Sequence, residues 1–213
     1  MSLYLFGVNN AIIQSYLKMI ETQESCCKIP SGSDLFHSNY TKLFADDASD
    51  FFQVVYSAGI LTGQRAYKQR KRDALKSVEI NMITPIKILS ALNDQEKPYQ
   101  FIYISSESAS KGSFDEIYAA SKAGVELVVK EKIKNHPSTQ IVALSPSKIS
   151  DSGMTMRRAD LDEVIASSIK EPLGRLISSS EVARLLKQLL RHPEPSLSNL
   201  VIPINGGKFA RSK

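Results

Sequence analysis

The chain is short of the residues that mark a secreted scaffold or a metal centre. Two of its 213 residues are cysteine, the neighbours Cys26 and Cys27. Adjacent cysteines exclude a disulfide framework, leave no Cys-x-x-Cys or Cys/His spacing for a metal, and fit a reducing, cytoplasmic setting. The three histidines, His37, His136 and His192, share no ligand spacing, and tryptophan is absent. No run of 18 apolar residues occurs, which argues against a membrane span. The opening MSLYLFGVNNAIIQ lacks a basic start and meets Asn9 and Asn10 before a signal-peptide core is complete, so no leader is expected. Charge is nearly balanced, 27 Lys and Arg against 22 Asp and Glu, for a net charge of +5. The one basic cluster, Arg65 to Arg72, reads as a solvated face, so no nucleic-acid partner is expected and a small anionic ligand is the better fit.

What the chain does have is a set of short apolar runs separated by helical periodicity. Leu3 to Val8 leads through Gly7 into Asn9 and Asn10, after which Ile12, Ile13, Tyr16, Leu17 and Ile20 recur at helical spacing. Cys26 to Ile29 reads as a brief strand, and residues 30–34 as a turn. The runs FFQVVY (Phe51 to Tyr56), FIYI (Phe101 to Ile104), IVAL (Ile141 to Leu144) and LVIPI (Leu200 to Ile204) have the continuous apolar pattern of strands buried on both faces. Helical stretches lie between them at Leu75 to Leu92, Glu116 to Ile133 and Glu181 to Leu190, the last behind a Ser178-x-x-Glu181 capping box. Alternating strand and helix predicts an α/β, Rossmann-type doubly wound parallel sheet with helices on both faces, formed as a single domain spanning residues 1–213. Ligands then bind beyond the carboxyl ends of the strands.

Tyr118-Ala-Ala-Ser-Lys122 places a phenol and an ammonium four residues apart, on one face of a helix. A nearby ammonium favours the phenolate, so Lys122 is expected to lower the Tyr118 pKa and make the phenol a general acid or base. Ser105 or Ser106, at the end of FIYI, supplies a hydroxyl to the same crevice. Asn81 sits in the otherwise apolar segment VEINMITPIKI, where a buried amide needs partners and Pro85 frees a backbone carbonyl.

In their order along the chain, SAGI at 57–60, Asn81, FIYISS, YAASK, SPSKI at 145–149, PLGRLISSSEVA and LVIPINGG resemble the short-chain dehydrogenase/reductase superfamily over roughly Val54 to Ala210. The resemblance implies a tetrad of Asn81, Ser106, Tyr118 and Lys122. Tyr118 would exchange a proton with a carbonyl or secondary alcohol while a nicotinamide exchanges hydride. Ser106 would orient the carbonyl, Lys122 would hold the ribose, and Asn81 would hold a relay water. It also implies a cofactor, NADP or NAD, held by Gly7, Asn9, Asn10, Ser57, Ala58, Gly59, Lys122, Pro146 and Ile149. Asp34 would stand at the adenine, its plain alternative being a turn or cap residue. Lys28 and the basic total tilt the expectation to NADP. Met154, Met156, Arg157 and Arg158 fall where the family places its substrate lid, and the helices around Leu75 to Leu92 and Glu116 to Ile133 are expected to pair in a homodimer or homotetramer.

The first third departs from that pattern. Of three turn glycines only Gly7 remains, with Ala11 and Ile13 at the other two places. Ile13 is expected to push its helix off the sheet or to face elsewhere, and the 59 residues through Gly59 predict one shortened or missing helix. The alternative reading is therefore a non-catalytic relative, a binding or assembly subunit with weakened or lost cofactor binding.

Overall fold

The computed structural model describes residues 1–20, the backbone of 26–29, and residues 39–132 and 134–209. Six parallel strands form one sheet: β1 (Ser2–Phe6), β2 (Cys26–Ile29), β3 (Phe52–Tyr56), β4 (Tyr99–Ile104), β5 (Gln140–Pro146) and β6 (Leu200–Ile204), ordered β2-β1-β3-β4-β5-β6. The helices between them are α1 (Ala11–Met19), α2 (Tyr40–Ala45), α3 (Lys71–Val78), α4 (Thr84–Asn93), α5 (Ser108–Lys111), α6 (Glu116–Glu131), α7 (Gly153–Met156), α8 (Leu161–Ser168) and α9 (Ser179–Arg191). The doubly wound α/β architecture expected from the sequence is the one observed. Strand and helix bounds differ from the expected ones by a few residues, as with β4, which starts at Tyr99. Among the described residues no helix is long and apolar enough to cross a membrane.

The apolar strands sort their side chains by parity. Tyr4, Phe6, Val54, Tyr56, Phe101 and Tyr103 face one side, under α2, α4 and α6, while Leu3, Leu5, Val55, Ile102 and Ile104 face the other, under α1 and α9. Both sides are apolar, so the runs lack the alternation of a half-exposed sheet. A row of buried glutamines ties α9 to the sheet. Gln53 donates to Gln100, which donates to Gln140, and the first two also donate to the Leu190 and Leu189 carbonyls at the end of α9.

The capping box at the start of α9 forms as the sequence predicts, and the described helix before β3 is short, six residues. Ile13 is fully buried in the cluster shared by β1, α1 and α9. Between α3 and α4 the chain takes a π-helical turn, Glu79–Ile83. Pro85 has no N–H for the carbonyl of Asn81 four residues back, and the Thr84 N–H bonds to Glu79 instead of Ile80. Two buried tyrosines fill the vacated places: Tyr103 Oη donates to the Asn81 carbonyl at 2.9 Å and Tyr56 Oη to that of Ile80 at 2.6 Å.

Candidate active site

The chain crosses from one half of the sheet to the other between β1 and β3, and a cleft of about 640 Å³ opens at the carboxyl ends of the strands there. Gly7, Asn9, Asn10, Ser57, Ala58, Gly59, Ser105, Ser106, Tyr118, Lys122, Pro146 and Ile149 all line it. Asn81 lies directly behind the wall, fully buried. Asp34 is outside the described residues, as is the side chain of Lys28.

At the first end the wall is backbone. Gly7 has φ +84°, and a Cβ there would lie 2.3 Å from the Ala58 nitrogen, so β1 and the end of β3 close on each other only with glycine at this position. Asn10 caps α1: its Oδ1 accepts from the Ile12 N–H at 2.8 Å and its Nδ2 donates to the Ser57 carbonyl. The Ser57 hydroxyl is buried and has no partner among the described residues.

At the other end the wall is made of side chains. Asp115 caps α6 by accepting from the Tyr118 N–H, and it also accepts from Thr62 and Gln69, so one buried carboxylate fixes both the entry of the helix and the loop in front of it. Three residues on, Tyr118 is 7% exposed and faces the cleft. Burial pushes its pKa up to about 12, and a hydrogen bond with the Ser106 hydroxyl works in the opposite direction. The expected lowering by Lys122 is thus corrected: the lowering influence is the Ser106 hydrogen bond, desolvation outweighs it, and the phenol keeps its proton at neutral pH. Lys122 is 3% exposed, donates to the Ile104 carbonyl at 2.8 Å and stands 4.5 Å from the Tyr103 ring centre. Burial pulls its pKa down to about 7, with the Glu126 charge opposing.

The two serines separate cleanly. Ser105 is turned into the protein, where it donates to Glu126 Oε1 at 2.6 Å, while Ser106 stands beside the phenol. Asn81 has its amide committed: Oδ1 accepts from the Ile60 N–H at 3.1 Å, and Nδ2 donates to the Ile60 carbonyl and to Ser77. It holds the loop beside Gly59, where a Cβ would come within 3.1 Å of its Oδ1. Its backbone carbonyl accepts from Tyr103 at 2.9 Å. Of the four residues expected in the lid, Met154, Arg157 and Arg158 line the cleft, whereas Met156 lines a second hollow under α8.

Asp115, Tyr103 and Glu126 were not among the expected site residues. Asp115 carried a signal, an acidic residue three places before Tyr118 at the head of a helix. Glu126 carried one too, a charge one turn beyond Lys122 on the same face. Tyr103 carried none, because a tyrosine in an apolar strand reads as core.

A buried hydroxyl with no partner among the described residues, a glycine turn closed on the Ala58 backbone, and a buried lysine beside Gly59 together fit a dinucleotide, with Gly7, Ser57, Gly59 and Lys122 among the residues able to hold it. No protein-family model and no curated protein sequence matches the chain. Solved structures do. A short-chain dehydrogenase/reductase described as glucose/ribitol dehydrogenase from Brucella melitensis superposes with TM-score 0.76 at 19% identity, covering 99% of this chain and 97% of its own. A short chain dehydrogenase family protein from Francisella tularensis superposes with TM-score 0.79 at 17% identity, over 99% of both chains. ElxO with NADP bound superposes with TM-score 0.77 at 15% identity, again over 99% of both.

Proposed function

We propose that this chain, which has the fold of the short-chain dehydrogenases/reductases, is an NAD(P)-dependent oxidoreductase that reduces a carbonyl to a secondary alcohol. The observation that carries the reading is the convergence of Ser106, Tyr118 and Lys122 on one cleft whose opposite end is the Gly7 turn. The bound nicotinamide would supply hydride. Tyr118 would give its proton to the carbonyl oxygen, and a phenol held near pKa 12 is in the protonated form that a reduction requires. Ser106 would orient that oxygen, and Lys122 would hold the ribose and place positive charge near the phenolate left behind. Asn81 acts here as a positioning residue that holds the Gly59–Ile60 wall. NADP is favoured over NAD by the net positive charge and by the NADP-bound likeness.

A second reading, a non-catalytic binding subunit, is favoured by the α1 terminus, where Asn10 already accepts from the Ile12 N–H that a phosphate would otherwise meet. NADPH fluorescence separates the two, since the chain has no tryptophan to interfere. Micromolar to millimolar binding of NADPH or NADH supports the first; no binding at millimolar concentration supports the second. With any carbonyl substrate accepted, Tyr118→Phe should lower turnover by about 100-fold or more with cofactor affinity nearly unchanged. A Phe variant with wild-type turnover would remove Tyr118 from the chemistry.

A further inference from the structure

The inner face of α6 carries two buried charged residues one turn apart, Lys122 and Glu126, 3% and 6% exposed. The first lines the cleft and the second lies behind it. A carboxylate so buried needs both a hydrogen-bond donor and a compensating charge. Its donor is Ser105, at 2.6 Å. The cation on its own helix face is Lys122, one turn back at the i, i+4 spacing, which feels the Glu126 charge without a direct ion pair. From β4, the groups facing the ammonium are the Ile104 carbonyl and the Tyr103 ring, and from its own helix Tyr118 and Glu126. Of these, only Glu126 is a carboxylic acid.

The environment of Lys122 is finely divided. Desolvation is the larger influence and works against the ammonium, while a carbonyl, an aromatic face and the Glu126 charge support it. Ser105 and Glu126 are joined in turn to the same strand end that presents Ser106, so the hydroxyl that meets the substrate and the carboxylate behind the lysine are positioned by adjacent residues. We infer that Glu126, held in place by Ser105, is a positioning residue whose buried carboxylate keeps Lys122 an ammonium while Tyr118 works. The inference rests on the reading of Lys122 as a cleft residue, and it explains why Ser105 turns inward while Ser106 does not.

The test reads the lysine directly. In protein labelled with ¹³C at lysine Cε, the Lys122 resonance, assigned by its loss in Lys122→Met, is followed by NMR against pH in the protein without cofactor. Glu126→Gln keeps the shape and the hydrogen-bonding capacity but removes the charge, and the Lys122 midpoint should fall by about one pH unit or more. An unchanged midpoint overturns the inference. Should the Gln variant not fold, the wild-type protein decides: an ionised Glu126 carboxyl carbon at pH 7 supports the proposal, and a protonated one there overturns it. Where a substrate is known, Glu126→Gln should also move the alkaline limb of the rate profile to lower pH, because the ammonium is lost sooner. A merely structural loss would lower the rate at every pH and leave that limb in place. If no nicotinamide cofactor binds, the proposed function fails while the NMR titration still decides this inference.

Discussion

The two ends of the cleft are built from different materials. At the α6 end the working parts are side chains, Ser106, Tyr118 and Lys122, carried on a helix capped by Asp115 and on the rigid end of β4. At the α1 end the working part is the shape of the backbone, a turn at Gly7 pressed against Ala58. A side-chain site is sensitive to which atoms are present, so it survives local changes that keep those atoms. A backbone site is sensitive to volume, so it tolerates many residues at some positions and none at others. That difference fits a large side chain at Ile13, which packs in the core, and a glycine at Gly7, where no side chain fits.

The sharpest way to break the comparison is Gly7→Ala. The added carbon meets the Ala58 backbone at 2.3 Å in a conformation, φ +84°, that alanine adopts at a cost of about 1–2 kcal/mol by itself. The end of β3 must then move. We expect a total loss of stability of about 4 kcal/mol or more, in the range reserved for strain and core damage, together with loss of dinucleotide binding. Thermal unfolding and NADPH titration measure both. An alanine variant that unfolds and binds like the parent would show that the turn is not shape-limited.

Ile13→Gly asks the opposite question, whether the glycine found here in related folds still suits this chain. Ile13 is fully buried between the sheet, α1 and α9. Removing its side chain leaves a cavity worth about 2–5 kcal/mol, and glycine inside a helix adds about 1 kcal/mol. We expect net destabilisation of roughly 3–6 kcal/mol with no gain in cofactor affinity. Tighter NADPH binding in the variant would mean that Ile13 obstructs the pyrophosphate site after all.

The same contrast governs what could be read in advance. The parallel sheet was legible because strands buried on both faces must be continuously apolar, as FIYI and IVAL are. Tyr118 and Lys122 were legible because their chemistry resides in the residue types and their spacing. The direction of the Tyr118 pKa was misread, since adjacency to Lys122 can be counted along the sequence but burial cannot, and burial is the larger effect. Asn81 was visible as a buried amide needing partners, and Pro85 as the residue that frees its carbonyl. That Tyr103 would fill that place depends on strand parity and on the register of β4 against the π turn, which emerge only in three dimensions. Whether Ile13 would clash or pack was equally a question of volume, decided by where α9 lies.

The smallest effect on the fold, and the last test of the comparison, comes from the face of α6 turned away from both ends of the cleft. We propose that this face pairs with its copy in a homodimer. Its inner face is taken by Tyr118, Lys122, Val125, Glu126 and Val129, all buried. Ile117, Ala120 and Leu127 are not buried, Leu127 being 61% exposed, and Leu75 on α3 is 59% exposed, whereas Val128 packs against the core of its own chain and Gly124 lies under Met82. The small exposed residue at 120 allows a second helix to approach closely, and a twofold axis requires one self-complementary patch. Leu127→Glu should therefore split the dimer while changing the stability of the monomer by less than about 0.5 kcal/mol, as is usual for an exposed position. Sedimentation at micromolar concentration reads the outcome. A parent that already sediments as the 23.6 kDa monomer refutes the proposal. A dimer that persists in Leu127→Glu places the interface elsewhere, and loss of NADPH binding in the separated monomer would show that α6 needs its copy to hold Tyr118 and Lys122 in place.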